Sequence, residues 1–169
     1  MTRKPRGRSF LGNDLSRNAP TIGPAVSDTA YSTLRSVTKT VRINCPPKSA
    51  FDFLADLANW PRWAVVNVLS TSPTADPDWW DMVTPHGKAR LRLRADDCRG
   101  VLDHDFVDPL ASWTVPARVI ANAAGAEFMI TFFQPPSFTD EFFDQQVKLV
   151  DIELAKLKEL LESQAGRVA

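Results

Sequence analysis

Residues 41–63 read VRINCPPKSAFDFLADLANWPRW, and this stretch carries the strongest fold signal of the chain. It opens at the end of a run, 37–43, in which valine, lysine and isoleucine alternate with threonine and arginine, and this period-two pattern predicts a strand. Two prolines end the strand. Apolar residues at helical spacing over 48–57 then predict a short amphipathic helix. The following Asn-Trp-Pro triplet breaks that helix and starts a second helical turn, because proline suits the first helical position.

The pattern is β throughout the central part of the chain. Candidate strands are 65–72, 79–84, 88–95, 100–107, 113–122 and 126–134. Turn residues separate them, and connections this short join neighbouring antiparallel strands.

The charged residues of the predicted strands 88–95 and 100–107 indicate how these two strands pair. On 88–95 every second residue is Lys or Arg, and the strand after it carries Asp103 and Asp105 on the matching face. We therefore expect arginine–aspartate pairs across the outer face of the sheet, each contributing about 0.2–1 kcal/mol. Such a face is solvated, and it does not indicate a nucleic-acid groove.

The last element is the longest. Over 139–162 an apolar seam recurs at alternating intervals of four and three, which predicts one helix capped by Ser137 or Thr139. A seam of this kind is also typical of a coiled-coil dimer, so both monomer and homodimer stay open. We favour a helix that covers the sheet, because a one-sided apolar sheet needs a cover and no other element is long enough.

Charge and composition restrict the function classes. The 169 residues carry 20 basic and 20 acidic side chains, so net charge draws the chain neither to nucleic acid nor to anionic membranes. No apolar run approaches the roughly 18 residues of a membrane span, and the N-terminus lacks the apolar core of a secretory signal. We expect a cytoplasmic protein. Residues 1–34 are basic and interrupted by proline, which predicts a flexible tail before a domain at 35–165.

Few residues are suited to catalysis. No nucleophile, phosphate-loop, dinucleotide or metal motif is present, and Cys45 and Cys98 have no metal-ligand spacing, so no metal or cofactor is expected. Alternation points His104 inward, where it is either a wall histidine with a satisfied partner or a polar group that orients a ligand or transfers a proton. Glu127 and Arg118 lie on the last two predicted strands, where both faces carry apolar residues, so alternation does not decide whether their side chains point inward or outward. We favour the outward orientation, with the two side chains forming a surface ion pair.

The order of elements, and above all the 41–63 segment, resembles the START-like (SRPBCC) superfamily, which includes polyketide cyclase/dehydrase-type proteins. The resemblance covers about residues 36–163. It implies an α+β helix-grip fold: a curved seven-stranded antiparallel sheet around a long C-terminal helix, two short helices after the first strand, and an apolar cavity between sheet and long helix. Members bind lipids, sterols, polyketides, quinones or plant hormones, and a minority are enzymes.

The predicted partner is accordingly a small hydrophobic molecule. The predicted ligand-binding residues are Trp63, Leu91, Leu93, Leu102, His104, Phe106, Trp113, Phe143, Val147, Val150 and Leu154. Binding or carriage of a lipid, polyketide, quinone or similar compound is favoured over a cyclase/dehydratase-type enzyme that would use His104 as its acid or base. A quinone-chaperone or interaction module is a third alternative, supported by the basic tail alone.

Overall fold

The computed structural model describes residues 32–109 and 112–166. Its strands are β1 Ser36–Ile43, β2 Ser70–Pro73, β3 Trp80–Thr84, β4 Gly87–Asp96, β5 Val101–Val107, β6 Ser112–Val115, β7 Ala117–Asn122 and β8 Gly125–Phe133, and its helices are α1 Pro47–Ala55, α2 Trp60–Trp63 and α3 Asp140–Ala165. Single 3-10 turns lie at Leu57–Asn59 and Asp97–Arg99. The predicted tail, 1–34, lies outside the described residues except for its last three.

The strands form one antiparallel sheet in the order β1-β8-β7-β5-β4-β3-β2, with β6 paired to β5. Side chains alternate along the strands, so one face is apolar and buried while the other is more exposed and carries most of the polar side chains. The three helices cover the apolar face, and their buried side chains join those of the sheet in a single core. The predicted α+β helix-grip fold is confirmed.

The sheet has eight strands where the sequence predicted seven, because Pro116 divides the predicted strand 113–122 into β6 and β7. Proline has no N–H to donate to a ladder, so pairing is interrupted there. The two pieces then take different main partners: β6 pairs along β5, and β7 pairs along β8. The carbonyl oxygen of Pro116 still accepts a hydrogen bond from the Thr131 N–H at 2.9 Å.

The predicted strand 65–72 is mostly wrong. Only Ser70–Pro73 is strand, and the residues before it turn back on the end of α2. The carbonyl oxygen of Ala64 accepts the N–H groups of Asn67 at 3.1 Å and Val68 at 2.8 Å, so these two donors bond within a turn instead of in the sheet. A run of β-branched residues was outweighed by these turn hydrogen bonds.

Helix α3 begins where predicted. The Thr139 hydroxyl accepts the Phe142 N–H at 3.2 Å, and two acidic residues follow in the first turn. The helix lies along β1, to which it is tied by the Lys39–Asp151 ion pair at 2.8 Å and by a hydrogen bond from the Lys158 ammonium to the Arg42 carbonyl oxygen. Its apolar seam is buried within the chain itself.

Gly100 links the Asp97–Arg99 turn to β5 at a position that only glycine fits. Its φ is +64°, and a Cβ there would lie 2.0 Å from the Val119 carbonyl oxygen. The same contact allows the Val119 N–H to donate to the Gly100 carbonyl oxygen at 2.8 Å. Because β5 carries His104, this approach positions part of the interior described below.

We expect Gly100→Ala to lower the free energy of unfolding by about 2–4 kcal/mol. The alanine would have to adopt a left-handed backbone conformation, and its Cβ would also clash with the Val119 carbonyl oxygen. Urea unfolding followed by tryptophan fluorescence measures the change. Gly166→Ala is the matched control, because Gly166 has φ −70° and its added Cβ meets nothing closer than 3.7 Å. Equal stability of the two variants would contradict the assignment.

Candidate functional site

A small internal cavity lies between the short helices and the inner face of the sheet. It is lined by Leu54, Trp60, Trp63, Leu102, His104, Ala117, Phe128 and Ile130. Its volume is about 10 Å³, which is the space of a single water. No residue of α3 lines it, so the cavity lies beneath α1 and α2 and not beneath the long helix as the sequence predicted.

The indole N–H of Trp63 has no hydrogen-bond partner. It is the one buried side-chain nitrogen or oxygen of the described residues in that state, and the residue is only 4% exposed. Its neighbour Trp60 differs, because that indole donates to the Leu54 carbonyl oxygen at 2.9 Å. The two rings meet edge to face at 5.6 Å, and Trp63 meets Phe128 in the same way at 6.2 Å.

His104 is the ionisable residue in the cavity wall. Its Nδ1 lies 3.2 Å from the Leu102 carbonyl oxygen, and its ring meets Trp60 edge to face at 4.9 Å. A carbonyl oxygen only accepts, so Nδ1 carries the proton and Nε2 is the acceptor of the neutral ring. Burial lowers the pKa of His104 to about 4. The imidazole is therefore neutral at neutral pH.

Glu153 is a second buried ionisable group, on α3 and outside the cavity wall. It is 4% exposed, and its carboxylate accepts the N–H groups of Val66 at 3.1 Å and Asn67 at 2.8 Å. Burial raises the pKa of Glu153, against the lowering effect of these hydrogen bonds. The carboxylate holds the segment between α2 and β2 against the long helix, directly after Trp63.

A surface cleft of about 240 Å³ adjoins the cavity. It is lined by Ala55, Asp56, Leu57, Pro77, Asp78, Trp80 and Leu93. Leu93 is the cross-strand partner of His104, and Ala55 follows the cavity residue Leu54 on α1. The cleft and the cavity are therefore separated by little more than the side chains of these neighbouring positions.

The predicted ligand-binding residues lie in five different places. Trp63, Leu102 and His104 line the cavity, and Leu93 lines the cleft. Leu91 is a buried core residue, and Phe106 stacks on Trp113 with 4.7 Å between ring centroids. Phe143, Val147, Val150 and Leu154 form the buried seam of α3.

Several wall residues were not predicted. Ala117, Phe128 and Ile130 lie on strands whose two faces both carry apolar residues, so alternation could not select them. Glu153 had one usable signal: it lies three residues after Val150 and next to Leu154, so a charge borders the apolar seam.

The polar outer face confirms the predicted arginine–aspartate pairing. Asp105 accepts hydrogen bonds from Arg92 at 2.7 Å, from Arg94 at 2.8 Å and from the Thr114 hydroxyl at 2.6 Å. Burial by itself raises the pKa of Asp105, but the hydrogen bonds from Thr114 and Arg92 and the adjacent guanidinium charges hold it below its usual range. These groups stabilise the register of β4, β5 and β6 on the side away from the cavity.

Arg118 and Glu127 both lie on the outer face, as favoured, but they do not pair with each other. The Arg118 guanidinium bonds the Asp103 carboxylate, and Glu127 accepts a hydrogen bond from the Asn122 amide at 3.1 Å. Glu127 therefore does not face the cavity with His104.

No described helix is long and apolar enough to cross a membrane. Within the same residues no group of three or more His, Cys, Asp or Glu side chains is arranged to hold a metal ion.

Comparison with known proteins identifies the fold. No family model matches this sequence, and no curated protein matches it significantly. Solved structures do match: XoxI from Bacillus cereus (TM-score 0.63, 14% identity, 76% of this chain and 96% of that chain) and Ara h 8.0201 (TM-score 0.59, 10% identity, 77% and 99%). The di-domain ARO/CYC protein BexL of the BE-7585A biosynthetic pathway matches with a TM-score of 0.58 and 16% identity, over 75% of this chain and 46% of that one. The chain therefore shares the helix-grip fold of these proteins.

The depressed pKa of His104 predicts acid sensitivity. In the unfolded chain the imidazole binds a proton near pH 6.5, but in the folded protein it does so only near pH 4. The contribution of His104 to the free energy of unfolding is therefore fully present above pH 6.5 and is lost as the pH falls from there toward 4. The loss from this residue is about 2 kcal/mol by about pH 5. We expect the stability gap between wild type and His104→Gln to shrink by that amount between neutral pH and pH 5 in urea unfolding. A gap independent of pH would contradict a buried neutral His104.

The Glu153 tether predicts a graded effect of two substitutions. Glu153→Ala removes the acceptor of the Val66 N–H and should lower the free energy of unfolding by about 1–2 kcal/mol at neutral pH. Glu153→Gln keeps an oxygen at that place and should lose less. Amide hydrogen exchange at Val66 provides the local measurement, with faster exchange expected in the alanine variant alone. Unchanged exchange in both variants would show that the carboxylate does not hold this segment.

Proposed function

We propose that this protein binds a small hydrophobic molecule in the interior beneath α1 and α2. The observation that carries the proposal is the unpaired indole N–H of Trp63 in a wall whose other polar side chains, Trp60 and His104, each have a backbone carbonyl partner. Buried donors are nearly always paired, and one left without a partner costs about 1–3 kcal/mol. A bound molecule with hydrocarbon surface and a polar atom near Trp63 would recover that free energy.

A ligand larger than water requires the walls to separate. The adjoining cleft supplies the approach, because it is already about 240 Å³ in volume and its Leu93 lies opposite His104. The elements to be displaced are short: α2 has four residues, and the segment after it is held to the long helix by Glu153. We therefore assign entry to the cleft and opening to the α1–α2 side, with the sheet and α3 unchanged.

The structural neighbours support this proposal at the level of fold. They include Ara h 8.0201, a Bet v 1-like protein, and the aromatase/cyclase BexL. A lipid, a polyketide and a quinone all stay within the proposed ligand class. Carriage or storage is favoured over catalysis, because acid–base chemistry needs two ionisable groups within reach of one another and His104 is the ionisable side chain of the cavity wall.

The test uses naphthalene as an apolar probe and the indole N–H proton resonances as reporters. The chain has five tryptophans, and Trp63→Phe identifies the Trp63 signal by its loss. We expect a saturable shift of that signal during titration, while the signal of Trp79 stays still, because its ring lies under the Arg90 and Arg92 guanidinium groups. Native mass spectrometry of freshly purified protein should show a retained molecule. An unmoved Trp63 signal together with a bare mass would refute binding at this site.

A further inference from the structure

The 64–69 segment, which joins α2 to β2, lies at the surface of the protein next to the cavity. Two of its side chains, Val65 and Leu69, are 44% and 57% exposed. Its far end is fixed to the sheet, because the Leu69 N–H donates to the Val83 carbonyl oxygen at 2.8 Å. Its near end follows Trp63, whose ring lines the cavity. The position of that ring therefore depends on what holds the middle of the segment.

The middle of the segment is held by one carboxylate oxygen of α3. Oε1 of Glu153 accepts the N–H group of Val66 at 3.1 Å and that of Asn67 at 2.8 Å. The residue is 4% exposed, so these hydrogen bonds are shielded from water. Hydrogen bonds to an ionised group are stronger than those between neutral groups. A single side chain of the long helix thus fixes the backbone three and four residues after Trp63.

Glu153 is an unusual residue for its place on α3. The six other buried side chains of this helix are all apolar, so the helix packs on the sheet without any contribution from a charge. Burying a carboxylate is unfavourable unless it is paired or hydrogen-bonded. The two N–H groups that it binds therefore explain Glu153 better than the packing of the helix does. Hydrogen bonds of this kind can break and form again while the apolar seam of α3 stays in place.

We propose that Glu153 is the latch of the cavity. Its hydrogen bonds to Val66 and Asn67 keep Trp63 in the wall, and their release lets α2 and the 64–69 segment move away from the sheet while the rest of the fold stays intact. This inference rests on the proposed function and specifies how access to that site is regulated. A latch holds the closed protein with and without ligand, so weakening it accelerates both entry and exit and leaves the affinity nearly unchanged.

The Trp63 indole N–H provides a measurement that needs no ligand. It has no hydrogen-bond partner among the described residues, so its exchange with deuterated water is limited by the access of water alone. In Glu153→Ala we expect this exchange to be about tenfold faster than in the wild type, the effect of losing hydrogen bonds to a buried carboxylate. Glu153→Gln retains an oxygen and should stay close to the wild type. Low concentrations of urea should leave the rate unchanged, because a local opening exposes little surface.

Glu162→Ala is the matched control for this measurement. Glu162 lies on the same helix, but its carboxylate accepts the Asn44 N–H at 2.8 Å and so holds the segment before α1. Exchange of the Trp63 N–H in this variant should equal that of the wild type. Equal acceleration in the two alanine variants would overturn the inference. So would a Trp63 exchange that rises with urea as steeply as the backbone amides of β8, a strand paired on both sides, because Trp63 would then be exposed by unfolding.

Stopped-flow binding of naphthalene, followed by tryptophan fluorescence, tests the latch with a ligand. In Glu153→Ala the association and dissociation rate constants should both rise by about the same factor of ten. Unchanged rate constants would overturn the latch and leave the proposed function intact. A rise in the dissociation rate constant alone would also overturn it, because Glu153 would then stabilise the bound state only.

Two further results are interpretable. If naphthalene binds to neither protein, the proposed function fails, and exchange of the Trp63 N–H still decides whether Glu153 holds the cavity closed. If the alanine variant does not fold, Glu153→Asp takes its place. Aspartate keeps the charge, but its side chain is one methylene shorter and withdraws the carboxylate from Val66 and Asn67, so the same acceleration is expected.

Discussion

An open antiparallel sheet with one apolar face can be stable only if that face is covered, and this constraint organises the whole chain. The sheet has its first and last strands side by side, so the segment after β8 returns to the same edge as β1. Helix α3 starts from there and runs along β1, where ion pairs with Lys39 and Arg35 hold it. One long helix cannot also cover β5 and β7, and α1 and α2 cover that part of the face.

Helix α3 and the pair α1 and α2 differ in how tightly they pack on the sheet and in whether every buried polar atom beneath them has a hydrogen-bond partner. The seam of α3 is built from side chains that contain no polar atoms, one phenylalanine and otherwise aliphatic residues, apart from Glu153 at its border. The cover made by α1 and α2 depends on two indole rings and encloses an imidazole. Aromatic side chains with polar atoms cannot be packed as freely as aliphatic ones, since each N–H needs a partner in a fixed direction. The vacant volume and the unpaired donor therefore occur beneath the short helices.

Much of the architecture could be predicted from local patterns. The alternation on β4, the aspartates of β5 and the seam of α3 each repeat at the period of their element, and repeated signals survive tertiary context. The arginine–aspartate register was correct for that reason. The division at Pro116 was visible but underestimated, because a single proline interrupts a ladder even when both flanks have strand character. The strand predicted to begin at Val65 was wrong for the opposite reason, since turn hydrogen bonds donated to the Ala64 carbonyl oxygen outweighed the β-propensity of this segment.

The candidate site was predicted only in part, because it depends on which elements share a volume. Alternation correctly turned His104 inward, but it carries no information on whether α3 or α1 lies above that residue. The seam of α3 therefore appeared to be the cavity's cover, although none of its side chains lines the cavity described above. The partner of each polar atom is equally invisible in a sequence: Trp60 finds the Leu54 carbonyl oxygen six residues earlier, and Trp63 finds nothing.

The indole N–H of Trp60 has a hydrogen-bond partner and that of Trp63 has none, and this difference bears on function more than the hydrophobicity of the two side chains does. If only packing mattered at position 63, a phenylalanine would supply an aromatic ring without a buried N–H. The indole therefore adds a cost that the closed protein does not recover, in a wall where His104 is also held neutral by burial. Sites that bind or react are where such local costs are tolerated, because the missing partner arrives from outside the chain. The unpaired Trp63 N–H, in a space that Trp60 and His104 also line, is thus the local feature on which the proposed binding rests.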